Sequence, residues 1–291
     1  MTDLTPNLAD PARMRAGSVF FMRLRRVPFG VALAATVLVF LALCAVAPGI
    51  VAPKDPYKIS LLHTLRPPSL EFPFGTDQLG RDIFSRVVHG ASYSLTIGLG
   101  ATFIAVTIGL AVGLVAGSAG GAVDLAFMRV IDVLLAFPAL FMSMAVVALL
   151  GTGSVNVLIA IAIAEIPRYA RIVRSQVLVV RTSGYVEAAR ILGQRRWRTL
   201  MRHVLPNTIG PLIVLSTLGI GSAILSSAAL SYLGLGPKPP TPEWGLMLAE
   251  GQGYLRRAWW IGVFPGMFAT LTVISTTVLG RYLKALSDGR A

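Results

Sequence analysis

Six stretches of about twenty mostly apolar residues recur along this 291-residue chain, and they restrict what it can fold into. A bilayer core of about 30 Å takes roughly 20 apolar residues per helix. The runs lie near residues 29–51, 92–116, 125–150, 155–174, 208–233 and 261–283. In lipid, every backbone N–H and C=O must be satisfied internally, so such runs become helices. The expected fold class is all-α, a polytopic membrane protein with about six transmembrane helices. The fourth run is the weakest, because Glu165 and Pro167 lie in it. Pro138 and Pro265 should kink or locally open the third and sixth helices. Only 13% of the residues are charged, against about 25% in soluble domains, which excludes a soluble enzyme.

The first run follows Arg23, Arg25 and Arg26, and Ala45-Val46-Ala47 looks like a small-residue cleavage site. Its apolar length exceeds a signal-peptide core of about 7–15 residues, so a retained helix is expected. Basic residues then set the orientation. With a cytoplasmic N-terminus, 18 basic residues fall inside and 8 outside. Both termini should therefore be cytoplasmic. The layout is an N-terminal arm (1–28), a first helix (29–51), an extracytoplasmic loop with a short helix (52–91), a core (92–283) and a cytoplasmic tail (284–291). The core includes a cytoplasmic loop (175–207) and an extracytoplasmic loop (234–260). The net charge of +13 is assigned to cytoplasmic loops, with no nucleic-acid partner expected.

The densest information lies in Ser183-Gly-Tyr-Val-Glu-Ala-Ala-Arg-Ile-Leu-Gly-Gln through Leu205-Pro206. Ser183 can cap a helix. Glu187 falls in its first turn, where a carboxylate favours the positive dipole end. Ala188 and Ala189 let another surface come close, and Gly193 offers a bend. Trp197, Leu200, Met201 and Val204 follow at helical spacing, and Pro206 should end that second helix. A helix-bend-helix hung between two spans suits docking into a partner's groove. The alternative is a solvated or headgroup-facing amphipathic loop.

The loop resembles the Glu-Ala-Ala loop of ABC importer permeases, with Glu187, Ala188, Ala189, Gly193, Leu205 and Pro206 in register. The pattern's apolar position is His203 here. A His before Leu-Pro-Asn is common in the peptide-transporting branch. Two outer motifs resemble the dipeptide/oligopeptide/nickel branch. The first holds Gly75, Thr76, Asp77, Gly80, Arg81, Asp82, Ser85 and Arg86. The second runs Leu233-Gly-Leu-Gly-Pro-Lys-Pro-Pro-Thr-Pro-Glu-Trp-Gly245, with Pro239, Pro240 and Trp244. Asp77, Arg81, Asp82 and Arg86 could pair and cap a short helix lying on the membrane. The prolines and glycines should stiffen a non-helical hairpin. Both motifs read as packing between loops or as contact with a substrate-delivery protein. The branch's acidic C-terminal ending is missing after Gly280, so no role is carried there.

The resemblance implies the type I ABC importer permease fold and a C-type subunit in a bacterial cytoplasmic membrane. It implies a homologous B-type permease, two cytoplasmic ATPases, an extracytoplasmic peptide-binding protein and a peptide substrate as partners. ATP and magnesium would be bound by the ATPases, with no cofactor in this chain. A nickel complex stays open as an alternative cargo. The 22 arginines against 4 lysines suit a GC-rich bacterial genome, such as an actinobacterial one.

No G-x-x-x-x-G-K-[ST] phosphate loop occurs, and the single cysteine, Cys44, excludes an internal disulfide. Glycines from Gly98 to Gly121 read as close helix packing. Asp124, Arg129, Asp132 and Glu165 lie in or near spans and invite a proton-relay reading. Arg129 and Asp132, three residues apart, should pair on one helix. A proton-coupled secondary transporter and a non-transporting membrane scaffold therefore remain as other classes. The docking motif argues against both. Ser143, Asn156, Ser216, Ser222, Ser226 and Ser227 are polar residues within spans, expected mostly to bond helix carbonyls.

Overall fold

The computed structural model describes residues 28–287. The expected N-terminal arm, apart from Pro28, and the last four residues of the expected tail lie outside them. The long helices are α1 (Phe29–Val46), α2 (Ile83–Ala119), the pair α3 (Gly121–Leu135) and α4 (Ala139–Leu150), and α5 (Ser154–Arg181). Two short helices follow, α6 (Gly184–Ile191) and α7 (Arg196–Thr199). A π turn (Leu200–Val204) leads into α8 (Leu205–Tyr232). The fold closes with α9 (Trp244–Gln252) and α10 (Trp260–Ser287). Among the described residues four helical runs are long and apolar enough to cross a membrane, and the bent pair, taken as one span, makes a fifth. The 28-residue α5 carries Glu165, Arg168, Arg171 and Arg174 and fails that test on polarity. At about 1.5 Å per residue it is long enough.

Several expected boundaries move. The first helix breaks at Ala47 (φ −134°, ψ 58°) and resumes as the single turn Pro48–Val51. The second starts at Ile83, not near Ser92, because Asp82 caps it by accepting from the Ser85 N–H at 3.1 Å. The expected short surface helix is thus the first turns of α2. Pro138 does more than kink the third span: α3 and α4 meet at 90°. Pro167 and Pro265 lie inside unbroken helices. The tail expected from residue 284 is still α10 through Ser287. The outer loop 234–260 is not wholly irregular, since it holds α9.

The most extensive helix contact joins α2 to α5. Gly109, Gly113 and Gly117 recur every fourth residue along α2. A Cβ on Gly113 would lie 2.6 Å from the Ala170 carbonyl oxygen and 2.6 Å from the Val173 Cβ. Only hydrogen lets the backbones come this close, as the glycine-packing reading expects. The two helices run parallel, since Gly109 meets Tyr169 and Gly117 meets Val177.

Three buried clusters follow the bundle from end to end. One gathers Leu41 and Cys44 of α1 with Ile83, Trp244, Trp260 and Phe268. The middle cluster holds Ile97, Ile161 and Leu230. The last holds Leu114, Val173, Val177, Val186, Val204 and Leu212. It seats the segment between α5 and α8 on the bundle.

Candidate coupling loop and the opposite end

The segment between α5 and α8 is built around one side chain. Val186 is fully buried among Val173, Val177, Val204 and Leu212, and it pins α6 to the bundle. The rest of α6 faces away: Glu187 and Ala188 are exposed, Ala189 is half-buried, and Tyr185, Ile191 and Leu192 present apolar surface. Val186 was not singled out from the sequence. Its signal was a β-branched apolar residue one position before the Glu-Ala-Ala run.

Glu187 stands in the first turn, as expected. Ser183 occupies the N-cap position without capping. Its hydroxyl turns back and donates to the Val180 carbonyl at 2.6 Å. The C-terminus closes in a Schellman arrangement, in which two N–H groups reach back to the last turn's free carbonyls. Gln194 N–H donates to the Ala189 carbonyl and Gly193 N–H to that of Arg190, both at 3.0 Å. This geometry puts Gly193 at φ +75°, a conformation that other residues rarely adopt. No neighbour lies within 4 Å of where its Cβ would be. The glycine therefore serves the bend and not a close approach.

Pro206 does not end the second helix. The helical run is continuous from Arg196 to Tyr232. Proline lacks an N–H, and its ring crowds the carbonyl four residues back. The π turn widens the helix just before it, with Leu205 N–H donating to the Leu200 carbonyl. Leu205 is half-buried and Pro206 exposed. Of the apolar set after the bend, Val204 is buried while Trp197 is 68% exposed. The concave side of the reversal is an open cavity of about 920 Å³ lined by Ala188, Ala189, Gly193, Arg195, Arg198 and His203 among others.

At the opposite end, the first outer motif is internal. Asp77, Arg81, Asp82, Ser85 and Arg86 are all buried, as are Gly75, Thr76 and Gly80. Asp77 accepts from Arg81 Nε at 2.6 Å and from the N–H groups of Leu79 and Arg81. Glu250, from α9, accepts from Arg86 at 3.2 Å and lies 3.6 Å from Arg81. Two arginines thus interleave with two carboxylates. Charge of this kind is held in the interior only when paired. Glu250 was missed because 164 residues separate it from Arg86.

The second motif folds onto the first. Trp244 is buried, and its indole N–H donates to the Val87 carbonyl at 2.9 Å. Glu243, also missed, caps α9 by accepting from Gly245 and Leu246 N–H at 3.0 and 2.8 Å. Burial raises its pKa above the ordinary carboxylate range, and these hydrogen bonds only partly oppose that. Lys238, Pro239 and Pro240 form the exposed part.

The carboxylates in and near the spans meet arginines. The expected Arg129–Asp132 pair is not made. Asp132 bonds Arg171 instead, Asp124 bonds Arg174, and Glu165 lies 3.7 Å from Arg168. In an α-helix a partner on a facing helix can outcompete one three residues away, and α5 supplies two such partners. Ser143 and Ser216 return their hydroxyls to helix carbonyls, and Asn156 bonds the Leu150 carbonyl. Among the described residues, buried Ser227 has no hydrogen-bond partner.

Comparison with known proteins agrees with this architecture. The fold is similar to that of a chain from inward-facing structures of the MetNI methionine ABC transporter. The TM-score is 0.57 at 18% identity, covering 69% of this chain and 96% of that one. The chain is 40% identical over 275 residues to the probable D,D-dipeptide transport system permease protein DdpC of Escherichia coli (strain K12), covering 94% of this chain and 92% of that protein. It is 42% identical to the di/tripeptide transport system permease protein DppC of Pseudomonas aeruginosa (strain UCBPP-PA14), covering 86% and 85%. It is 48% identical to the glutathione transport system permease protein GsiD of Escherichia coli O6:K15:H31, covering 76% and 73%. The model for "binding-protein-dependent transport system inner membrane component" matches residues 109–291. The chain belongs to that family, the non-enzymatic inner-membrane permease subunits of ABC importers, which work with ATPase and substrate-binding partners.

Proposed function

We propose that this chain forms one half of a peptide translocation pathway and takes its drive from cytoplasmic ATPases through α6. Its other half would be a homologous B-type permease. Two ATPase domains would bind the ATP and magnesium, with none held by this chain. The observation that carries the coupling role is the seating of α6. Val186 fastens it to the core while Glu187, Ala188, Ile191 and Leu192 face outward. A push on that outer face is transmitted to α5 and α8 through the same buried cluster.

Peptide cargo is supported by the relatives, whose names specify D,D-dipeptides, di- and tripeptides, and glutathione. The start of α1, the end of α10 and the α6–α7 reversal share one end of the bundle, which suits cytoplasmic termini. On this orientation the exposed Lys238-Pro239-Pro240 tip is extracytoplasmic and would meet the peptide-binding protein. The buried residues from Gly75 to Arg86, with Trp244, would shape the surface behind it.

The test is Glu187→Lys and Gly193→Asp, with membrane expression, ATPase co-purification and short-peptide uptake measured on the same preparations. Both variants should insert normally and lose ATPase association or uptake. Full uptake by both would remove the coupling role.

A further inference from the structure

The α6–α7 reversal has a second side, facing the bundle. There an open cavity of about 930 Å³ lies between the C-terminal ends of α2 and α5 and the reversal itself. Ser118 and Thr182 contribute hydroxyls to its lining, and Trp197 forms part of the wall. Its charge is one-sided. Arg181, Arg190 and Arg196 line it, and no aspartate or glutamate does. Among the described residues none of these three arginines forms an ion pair. Arg181 spends one N–H on the Gly117 carbonyl at 2.9 Å, which fixes its side chain and leaves the rest of its donor fork free. A guanidinium fork matches the oxygens of a phosphate.

The cavity's place supplies the rest. The apolar length of α2 ends at Ala119, beside the helical end of α5 at Arg181 and past its charged Arg168–Arg174 stretch, so the cavity sits just beyond the hydrocarbon. Trp197 is 68% exposed beside it, a residue type that settles at headgroup level. Basic pockets between helices at this depth hold anionic headgroups. We propose that this cavity binds the phosphate of an anionic phospholipid headgroup from the adjoining leaflet, with Arg181, Arg190 and Arg196 as its ligands. A lipid held there would brace the reversal against α2 and α5. The site stands on charge and position, and does not depend on the coupling role of Glu187.

The test is native mass spectrometry of the detergent-purified transporter complex after delipidation. The probes are phosphatidylglycerol, phosphatidylcholine or inorganic phosphate, each added back separately. Wild type should retain phosphatidylglycerol over phosphatidylcholine. Changing Arg181, Arg190 and Arg196 together to Gln should weaken that retention at least roughly tenfold, while the matching triple Lys variant keeps most of it. Arg256→Gln with Arg257→Gln, two exposed positions at the opposite end, should change nothing. Should the triple Gln variant fail to fold, each single Arg→Gln change should still weaken retention several-fold. Equal retention of the two lipids, or unchanged retention in the Gln variants, overturns the proposal. Displacement of the lipid by equimolar inorganic phosphate would assign the cavity to free phosphate instead. Loss of the ATPase chains with lipid retention intact would assign it to an acidic protein segment.

Discussion

Arg174 of α5 grips the carboxylate of Asp124 on α3 twice, through Nε at 3.0 Å and NH2 at 2.6 Å. The pair fastens the start of the bent helix pair to the span that leads into α6. Removing the charge by Asp124→Asn leaves Arg174 without its partner. Arg174 is about a third exposed, and water screens such a pair, so the loss of stability should be about 1 kcal/mol or less. Thermal unfolding of the detergent-solubilised complex would measure it, and the difference between wild type and variant should shrink at high salt.

Glu250 should matter more. It is the carboxylate shared by Arg81 and Arg86, both buried. Glu250→Gln leaves two interior guanidinium groups with Asp77 as their remaining carboxylate neighbour. Breaking a buried charge set of this kind costs roughly 3–5 kcal/mol. The expected readout is a marked fall in unfolding temperature, several times that of Asp124→Asn. Equal effects of the two variants would mean that the outer network is hydrated and weakly coupled.

Gly113 and Gly210 separate close packing from mere helix composition. Gly113→Val would drive a branched side chain into the Ala170 carbonyl and Val173. Overpacking costs about 1–3 kcal/mol, and here backbone atoms must move, so α2 and α5 should separate and the yield of folded protein should drop. Gly210 lies in α8, and no neighbour from another part of the fold comes within 4 Å of where its Cβ would be. Gly210→Ala would meet only the following Pro211 ring, which opposes the helix-propensity gain, so its effect should be small, within about 1 kcal/mol. Thermal unfolding of the two variants side by side checks both.

Glu243 gives a pH signature. Burial raises its folded pKa above the ordinary carboxylate value, so the folded state binds the proton more tightly than the unfolded chain does. The stability tied to this group is present at low pH and is lost as pH rises from the ordinary carboxylate range through the raised value. Glu243→Gln, which cannot ionise, should flatten that part of the profile of unfolding temperature against pH. An unchanged slope would show that Glu243 is ionised throughout.

The sequence made the spans, the glycine packing and the reversal at Gly193 legible, because each rests on a local rule: apolar length, residue size, or a left-handed turn. What it hid depends on long-range geometry. Arg129 and Asp132 looked like partners because spacing was visible and α5 was not. Pro138 announced a disturbance, but whether a proline bends a helix or breaks it through 90° depends on what the following helix packs against. Pro206 looked like a stop because a π turn, which accommodates it, leaves no signature in composition. The outer motif's charges could be read as pairing, while Glu250, which completes the network, comes from a helix 164 positions away.

The most direct measurement of the coupling account is site-specific crosslinking from α6 to the ATPase in native membranes. The chain's sole cysteine, Cys44, is fully buried, so an introduced thiol reports its own surroundings. A thiol-to-amine crosslinker applied to Ala188→Cys should give a covalent adduct with the ATPase chain. The same reagent on Lys238→Cys, at the opposite end, should give none. No adduct from position 188 while transport is intact, or equal adducts from both positions, would contradict the account.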